Sequence, residues 1–397
     1  MLIKSTLSGV SANVQYSNFA AITMQPDSIY WIVFYVFCAA AFLQLFYLLF
    51  FHLRLANYKR NKIISNELPP VSVIICARNE DTNLKKNLPK ILAQDYPQFE
   101  VIVVDDNSED GTTEYLFFLS QKEPRLKRVK VGNTNPMMAG KKFPLTLGLK
   151  AATHEHVILT DADCFPASNN WLKEIVKGYT VNKEIVLGYG AYEKAPGFLN
   201  KVIRYETFQS ALNYLSFALA KFPYMGVGRN LSYRKHLFFE SGGFFEHRNI
   251  LSGDDDLFIN KVTTKKNTSI AIAPEAFTFS APKETWADWK EQKTRHMSTA
   301  RYYKPKHKFL LALQPISHAV FWLTAIFLLS ILFIYWYVVA GIIIVRWITM
   351  RLVNAKVMSK LNENDLRGYI ELFDFLQLYY HVRFAKAALF KSKYRWD

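Results

Sequence analysis

Two long stretches without a charged side chain limit what this chain can fold into. Ser28–Phe51 carries none, and neither does Phe309–Val345, between Lys308 and Arg346. As a helix rising about 1.5 Å per residue, the first crosses a hydrocarbon core of roughly 30 Å once. The second is too long for one ordinary span and predicts two helices joined by a tight turn near Tyr335–Tyr337. A buried core helix is the weaker reading, because such helices rarely run so far without a charge. In 397 residues there is room for one large α/β domain plus these elements, or for two ordinary domains.

Positive charge follows the first stretch at Arg54, Lys59, Arg60 and Lys62, precedes the second at Arg301, Lys304, Lys306 and Lys308, and follows it at Arg346, Arg351 and Lys356. The positive-inside rule makes all three flanks cytoplasmic. Residues 1–27, poor in basic side chains, are then a short extracytoplasmic N-terminus, and 28–53 is a retained anchor rather than a cleaved signal. Residues 68–300 form a cytoplasmic domain, 309–352 a transmembrane hairpin, and 361–397 a basic and aromatic tail that suits an interfacial helix or one packed on the domain. The chain reads as a multi-pass protein of the cell membrane. Its net charge of +16 sits beside the spans and near the C-terminus, so anionic lipid headgroups explain it better than nucleic acid does. Binding of single strands would need aromatic platforms interleaved with basic residues, and the soluble segment has none. Cys38, Cys76 and Cys164 lack disulfide or zinc spacing and fit a reducing compartment.

From Val71 onward, short apolar runs alternate with amphipathic stretches: Val71–Cys76, Glu100–Asp105 and His156–Thr160. Strands alternating with helices predict a doubly wound, mostly parallel sheet. Each run ends in polar or acidic residues, at the carboxyl edge where open α/β sheets bind ligands. Pro69–Pro70 marks the linker from the anchor.

Four clusters carry chemistry. Asp105-Asp106, at the head of Asp105–Gly111, can accept hydrogen bonds from a nucleobase or ribose, or can cap a βα turn. Asp161-Ala-Asp163 puts two carboxylates on alternate residues after a strand, as a hard divalent cation bridging phosphates requires, although such a tripeptide is also a common solvated loop. Gly253-Asp254-Asp255-Asp256 crowds three carboxylates at a helix start; repulsion favours one with a raised pKa, as a general base needs, and the helix dipole offers the plainer explanation. Gln292 and Arg295 lie three apart on one helical face, where arginine could brace a diphosphate and glutamine an acceptor, or where the helix could simply be amphipathic.

In this order the four resemble the motifs of membrane-bound family 2 glycosyltransferases of the processive-synthase kind: D, DxD, an ED-like base motif and QxxRW. The layout is also similar to ceramide glucosyltransferase. Ala77-Arg78-Asn79-Glu80, Gly140-Lys141-Lys142 and Gly226-Val-Gly228-Arg-Asn230 add to the resemblance, which covers about residues 70–300. It implies a glycosyltransferase A-type, Rossmann-like α/β domain and an inverting transfer from a nucleotide-sugar, with UDP as the expected nucleotide and Mg²⁺ or Mn²⁺ as cofactor. Asn79, Glu80, Asp105 and Asp106 would hold the nucleoside, Asp161 and Asp163 the metal and diphosphate, Lys141 the phosphates or ribose, and Gln292 and Arg295 the donor. Asp255, or Asp254 on the alternative alignment, would be the base; Gly228, Asn230 and His296 would face the acceptor.

His296 stands where the family motif has Trp, and three spans are few for a polymer channel. The expected acceptor is therefore lipid-linked or membrane-embedded. A polymerising synthase working with partner subunits or as an oligomer is the second enzymatic reading, and a non-catalytic nucleotide-sugar-binding component of a secretion complex is the third. Product length separates the first two, and tolerance of an Asp254→Asn, Asp255→Asn double variant would select the third.

Overall fold

A computed structural model describes residues 26–59, 68–132, 138 and 140–389. The predicted outward N-terminus up to residue 25, Arg60, Lys62 and residues 390–397 of the predicted tail lie outside the described residues. Helix α1 (Pro26–Phe46) passes through a π turn at Tyr47–His52 into α2 (Leu53–Ala56). The next segment gives β1 (Val71–Ala77), α3 (Asp81–Leu92), β2 (Phe99–Asp105), α4 (Thr112–Lys122), β3 (Leu126–Lys130), α5 (Lys142–Ala151) and β4 (His156–Leu159). After these come β5 (Cys164–Pro166), α6 (Trp171–Val176), β6 (Ile185–Gly188), β7 (Gly190–Tyr192) and the long α7 (Phe198–Leu219). The segment closes with β8 (Leu231–Arg234), α8 (His236–Glu240), α9 (Asp256–Val262), β9 (Thr268–Ala271), β10 (Thr278–Ser280) and α10 (Trp286–Met297).

Seven strands form one sheet in the order β3-β2-β1-β4-β8-β6-β9, and β5-β10-β7 form a small second sheet. In the large sheet only β8 runs against its neighbours, β4 and β6. The sheet is mostly parallel, as the alternation of apolar runs predicts. Every residue of β2 is buried, as expected of a strand covered on both faces. On β1, Ile74 packs into the core shared with α5 and α7, whereas Val73 and Ile75 pack into the core under α3 and α6. The reversal of β8 matters for function: its N-terminal end, with Gly228–Asn230 just before it, arrives at the edge where β1, β2 and β4 end.

Three helical stretches are long and apolar enough to cross a membrane: Ser28–Ala56, α11 (Pro305–Ser330) and α12 (Trp336–Lys360). Phe37, Phe321, Trp322, Val339 and Ile343 form the core between them. The turn of the hairpin covers 331–335, slightly earlier than Tyr335–Tyr337. Arg346 is not a flank of the third span but a buried residue inside α12. Its guanidinium donates to both carboxylate oxygens of Asp374, at 2.7 and 2.8 Å, and to Gln44 at 3.2 Å. Asp374 belongs to α13 (Ile370–Leu389) and also accepts from His318 at 3.1 Å. A charge at membrane depth persists only when paired, so hydropathy reading, blind to the partner on α13, misplaced this arginine. Helix α13 packs on α10 as well as on α11 and α12, bridging the sheet domain and the spans.

Candidate active site

The carboxyl edge of the sheet opens into a cavity of about 1290 Å³. Ala77 and Asp105 pair at the ends of β1 and β2. Asn79 takes a left-handed conformation (φ 56°); its N–H donates to Ser108 Oγ at 3.0 Å and its side-chain carbonyl accepts from Glu109 N–H at 2.8 Å. Asp105 is buried and accepts from Ser108 N–H at 3.0 Å and Thr113 Oγ1 at 2.5 Å. Asn79 and Asp105 thus hold the two βα turns together and do not line the cavity, whereas Arg78, Glu80 and Asp106 do. Burial raises the pKa of both Glu80 and Asp106; nearby Asp163 and Asp161 push the former further, Asp105 the latter.

At the end of β4, oxygens of Asp161 and Asp163 and the Cys164 sulfur lie within 4.8 Å of one another. Lys141, at the start of α5, forms an ion pair with Asp161. Burial would raise the Asp161 carboxyl, but Lys141 holds it below its usual range, while burial and Asp161 push Asp163 up. Two carboxylates at this spacing fit a hard divalent cation that completes its shell with phosphate and water oxygens. Burial keeps the Cys164 thiol protonated, so it adds no hard ligand.

The three aspartates before α9 separate into distinct environments. Asp255 Oδ2 accepts from Gly228 N–H at 2.7 Å, and Oδ1 accepts from Asp256 N–H at 2.7 Å as the helix cap. Burial, then Asp254 and Asp256, push the Asp255 pKa from 3.8 to about 8. Asp256 faces inward, accepting from Thr299 Oγ1 at 2.5 Å and Tyr303 OH at 2.7 Å. It ties the aspartate loop to the chain entering α11. Asp254, like the other two, lines the cavity.

Helix α10 starts on Thr285, whose Oγ1 accepts from Asp288 N–H. Arg295 and His296 line the cavity, and the field of Arg295 reaches Asp161. Gln292 stands off the cavity and accepts from Tyr192 OH at 3.3 Å. Asn230 is fully buried: it accepts from Trp171 Nε1 at 3.1 Å and donates to Tyr189 O and Ala276 O, pinning the strand ends rather than facing an acceptor. Trp289 is buried beneath Tyr380 and Phe384 of α13.

Two residues escaped the sequence reading. Arg229 lies over the Tyr192 ring at 4.3 Å, donates to Ser280 Oγ at 3.0 Å and faces Asp161 and Asp163. Its place inside the Gly226–Asn230 motif was the available signal. Lys142, completely buried, donates to the carbonyls of Ile250 and Ser252 and holds the loop before the aspartates. Gly140, at φ 65°, approaches Leu251 O so closely that a Cβ would collide with it.

Residues 72–246 match the family model described as glycosyl transferase family 2. Residues 72–246 are a family 2 glycosyltransferase domain. The chain is 29% identical over 241 residues to a probable glycosyltransferase, YdaM, of Bacillus subtilis, covering 58% of this chain and 54% of that one. It is 26% identical over 140 residues to the poly-beta-1,6-N-acetyl-D-glucosamine synthase of Staphylococcus epidermidis, covering 34% and 30%. The chain spans about half, or less, of the length of these relatives. Among solved structures, a mannosyltransferase of Pyrobaculum calidifontis, in complex with GDP-Man and Mn2+, has the same fold: TM-score 0.58, 19% identity, 92% of this chain and 100% of that one.

Proposed function

We propose that this glycosyltransferase moves a sugar from a nucleotide-sugar to a lipid-linked or membrane-embedded acceptor, by inverting displacement at the cytoplasmic face. The observation that carries this is the continuity of the cavity. It runs from Asp106 and Asp161 past Asp255 to Leu311, Pro315 and Ala319 of α11, a helix long and apolar enough to span a bilayer.

Glu80 and Asp106 hold the nucleoside. Asp161 and Asp163 would hold Mg²⁺ or Mn²⁺, which when bound supplies positive charge against the departing diphosphate. Lys141, already against Asp161, and Arg295 add cationic charge on the same side. Asp255 removes the acceptor hydroxyl proton. That oxygen forms the new bond to the anomeric carbon as the bond to the nucleoside diphosphate breaks and its electron pair leaves with the diphosphate. Attack from the opposite face turns an α-linked donor into a β-linked product. Asp255 suits the role better than Asp254: backbone N–H groups aim its carboxylate, and its raised pKa makes a stronger base.

Membranes carrying the protein, supplied with Mn²⁺ or Mg²⁺ and a panel of radiolabelled nucleotide sugars, test this reading. Label is expected in solvent-extractable lipid, lost on chelation and in Asp163→Ala. The similarity to the poly-beta-1,6-N-acetyl-D-glucosamine synthase favours a second reading, chain polymerisation, in which label would run as insoluble or high-mass polymer.

A further inference from the structure

The acceptor half of the cavity has two unlike walls. On α7, Glu206, Gln209, Ser210 and Asn213 face it at helical spacing, a polar stripe roughly 10 Å long at 1.5 Å per residue. Opposite, α11 presents Leu311, Ala312, Pro315, Ile316 and Ala319, an apolar stripe of roughly 12 Å. This apolar wall begins one turn beyond Lys308, inside the candidate span.

Among the side chains lining the groove, Thr207 Oγ1, Trp289 Nε1 and His318 Nδ1 are buried and unpartnered. The residues are 6%, 4% and 3% exposed. A buried donor or acceptor without a partner costs about 1–3 kcal/mol, and orphans gathered along one groove point to a ligand that satisfies them. The only charge on the α7 wall, Glu206, is neutralised by Lys293 and accepts from Ser210 Oγ at 3.1 Å and Tyr380 OH at 3.2 Å. The polar wall is therefore suited to hydroxyl or amide hydrogen bonds rather than to a net charge.

Building on the lipid-directed reading above, we propose that this groove binds an uncharged, hydroxyl-bearing amphiphile as acceptor. Its head lies against α7 and the Trp289 indole N–H, its chain lies along α11, and its free hydroxyl is directed toward Asp255. Trp289, Ser210 and Asn213 are acceptor-positioning residues, and α13, which covers Trp289, closes the groove.

The full chain in nanodiscs is photolabelled with a diacylglycerol carrying a diazirine in one acyl tail, and labelled peptides are mapped. Labelling of peptides from both α7 and α11 is expected, competed by dioctanoylglycerol but not by its phosphorylated counterpart, dioctanoyl phosphatidate, nor by glycerol. The Ser210→Leu, Asn213→Leu variant should lose about tenfold in competition, equivalent to about 1.4 kcal/mol of binding. If that variant melts below the parent, Ala312→Trp, which plugs the groove from the apolar wall, should abolish the competed label. Equal competition by phosphatidate, competition by glycerol, or label confined to the bilayer-facing sides of the spans would overturn the proposal. Binding of radiolabelled nucleoside diphosphates to the same nanodiscs keeps the outcomes apart: if the nucleotide binds and the groove stays unlabelled, only the acceptor class is wrong.

Discussion

At the scale of single residues, Asp255 is the group on which rate should depend most. Asp255→Asn keeps the shape and removes the proposed base, so turnover is expected to fall roughly 10²- to 10⁴-fold while the Kd for the nucleoside diphosphate changes little. Steady-state rates and nucleotide binding measured on the same preparation check this; a tenfold or smaller loss in rate would pass the role to Asp254. The pH profile has a definite sign. As the proposed base, Asp255 would work ionised, and its pKa is raised to about 8, so the rate should climb with pH through the neutral range and level off above about 8, and Asp255→Asn should lose this limb. Since the raised pKa favours the protonated form in the folded state, ionising Asp255 removes stability as pH rises from about 4 to about 8. What the sequence could reveal about these residues was their position after strands. For Asp105 the capping role was legible, since its partners Ser108 and Thr113 are close in sequence; that Asn230 spends its side chain on internal hydrogen bonds and that Asn79 clamps two turns was not, because those partners come from distant segments.

At the scale of elements, the alternation of apolar runs made the parallel strands legible, since buried parallel strands are continuous apolar segments. The reversed β8 was not legible: its four residues, Leu231–Arg234, alternate too briefly to signal direction. Nor could spacing predict the tie between α5 and the aspartate loop. Lys142→Met would leave the carbonyls of Ile250 and Ser252 buried without their donor, costing about 1–3 kcal/mol. A lower melting temperature is expected, with a larger proportional loss in turnover than in nucleotide affinity, because the loop positions Asp254 and Asp255. If melting and turnover matched the parent, the loop would have to be held by its own backbone alone.

At the scale of the whole molecule, Arg346 and Asp374 join the spans to α13. Removing one partner of a buried pair leaves the other charge uncompensated, at a cost of about 3–5 kcal/mol. Arg346→Leu should therefore yield little folded protein in detergent, and Arg346→Met with Asp374→Met should recover much of the loss; size-exclusion profiles and thermal melts distinguish the two variants. The hydropathy pattern made three candidate spans legible and hid this pair, because a window average reads an arginine as an end rather than as half of a contact. A further consequence follows from Asp256. By accepting from Thr299 and Tyr303, it links the aspartate loop to the residues that lead into α11, a helix of 26 residues. At 1.5 Å per residue that helix is about 39 Å long, against a hydrocarbon core of about 30 Å, so its tilt follows the lipid around it. Thin and thick bilayers would set the loop at different distances from the sheet edge. Turnover should then pass through an optimum as acyl length is varied in reconstituted vesicles, while Tyr303→Phe, which cuts one of the two ties, should flatten that dependence.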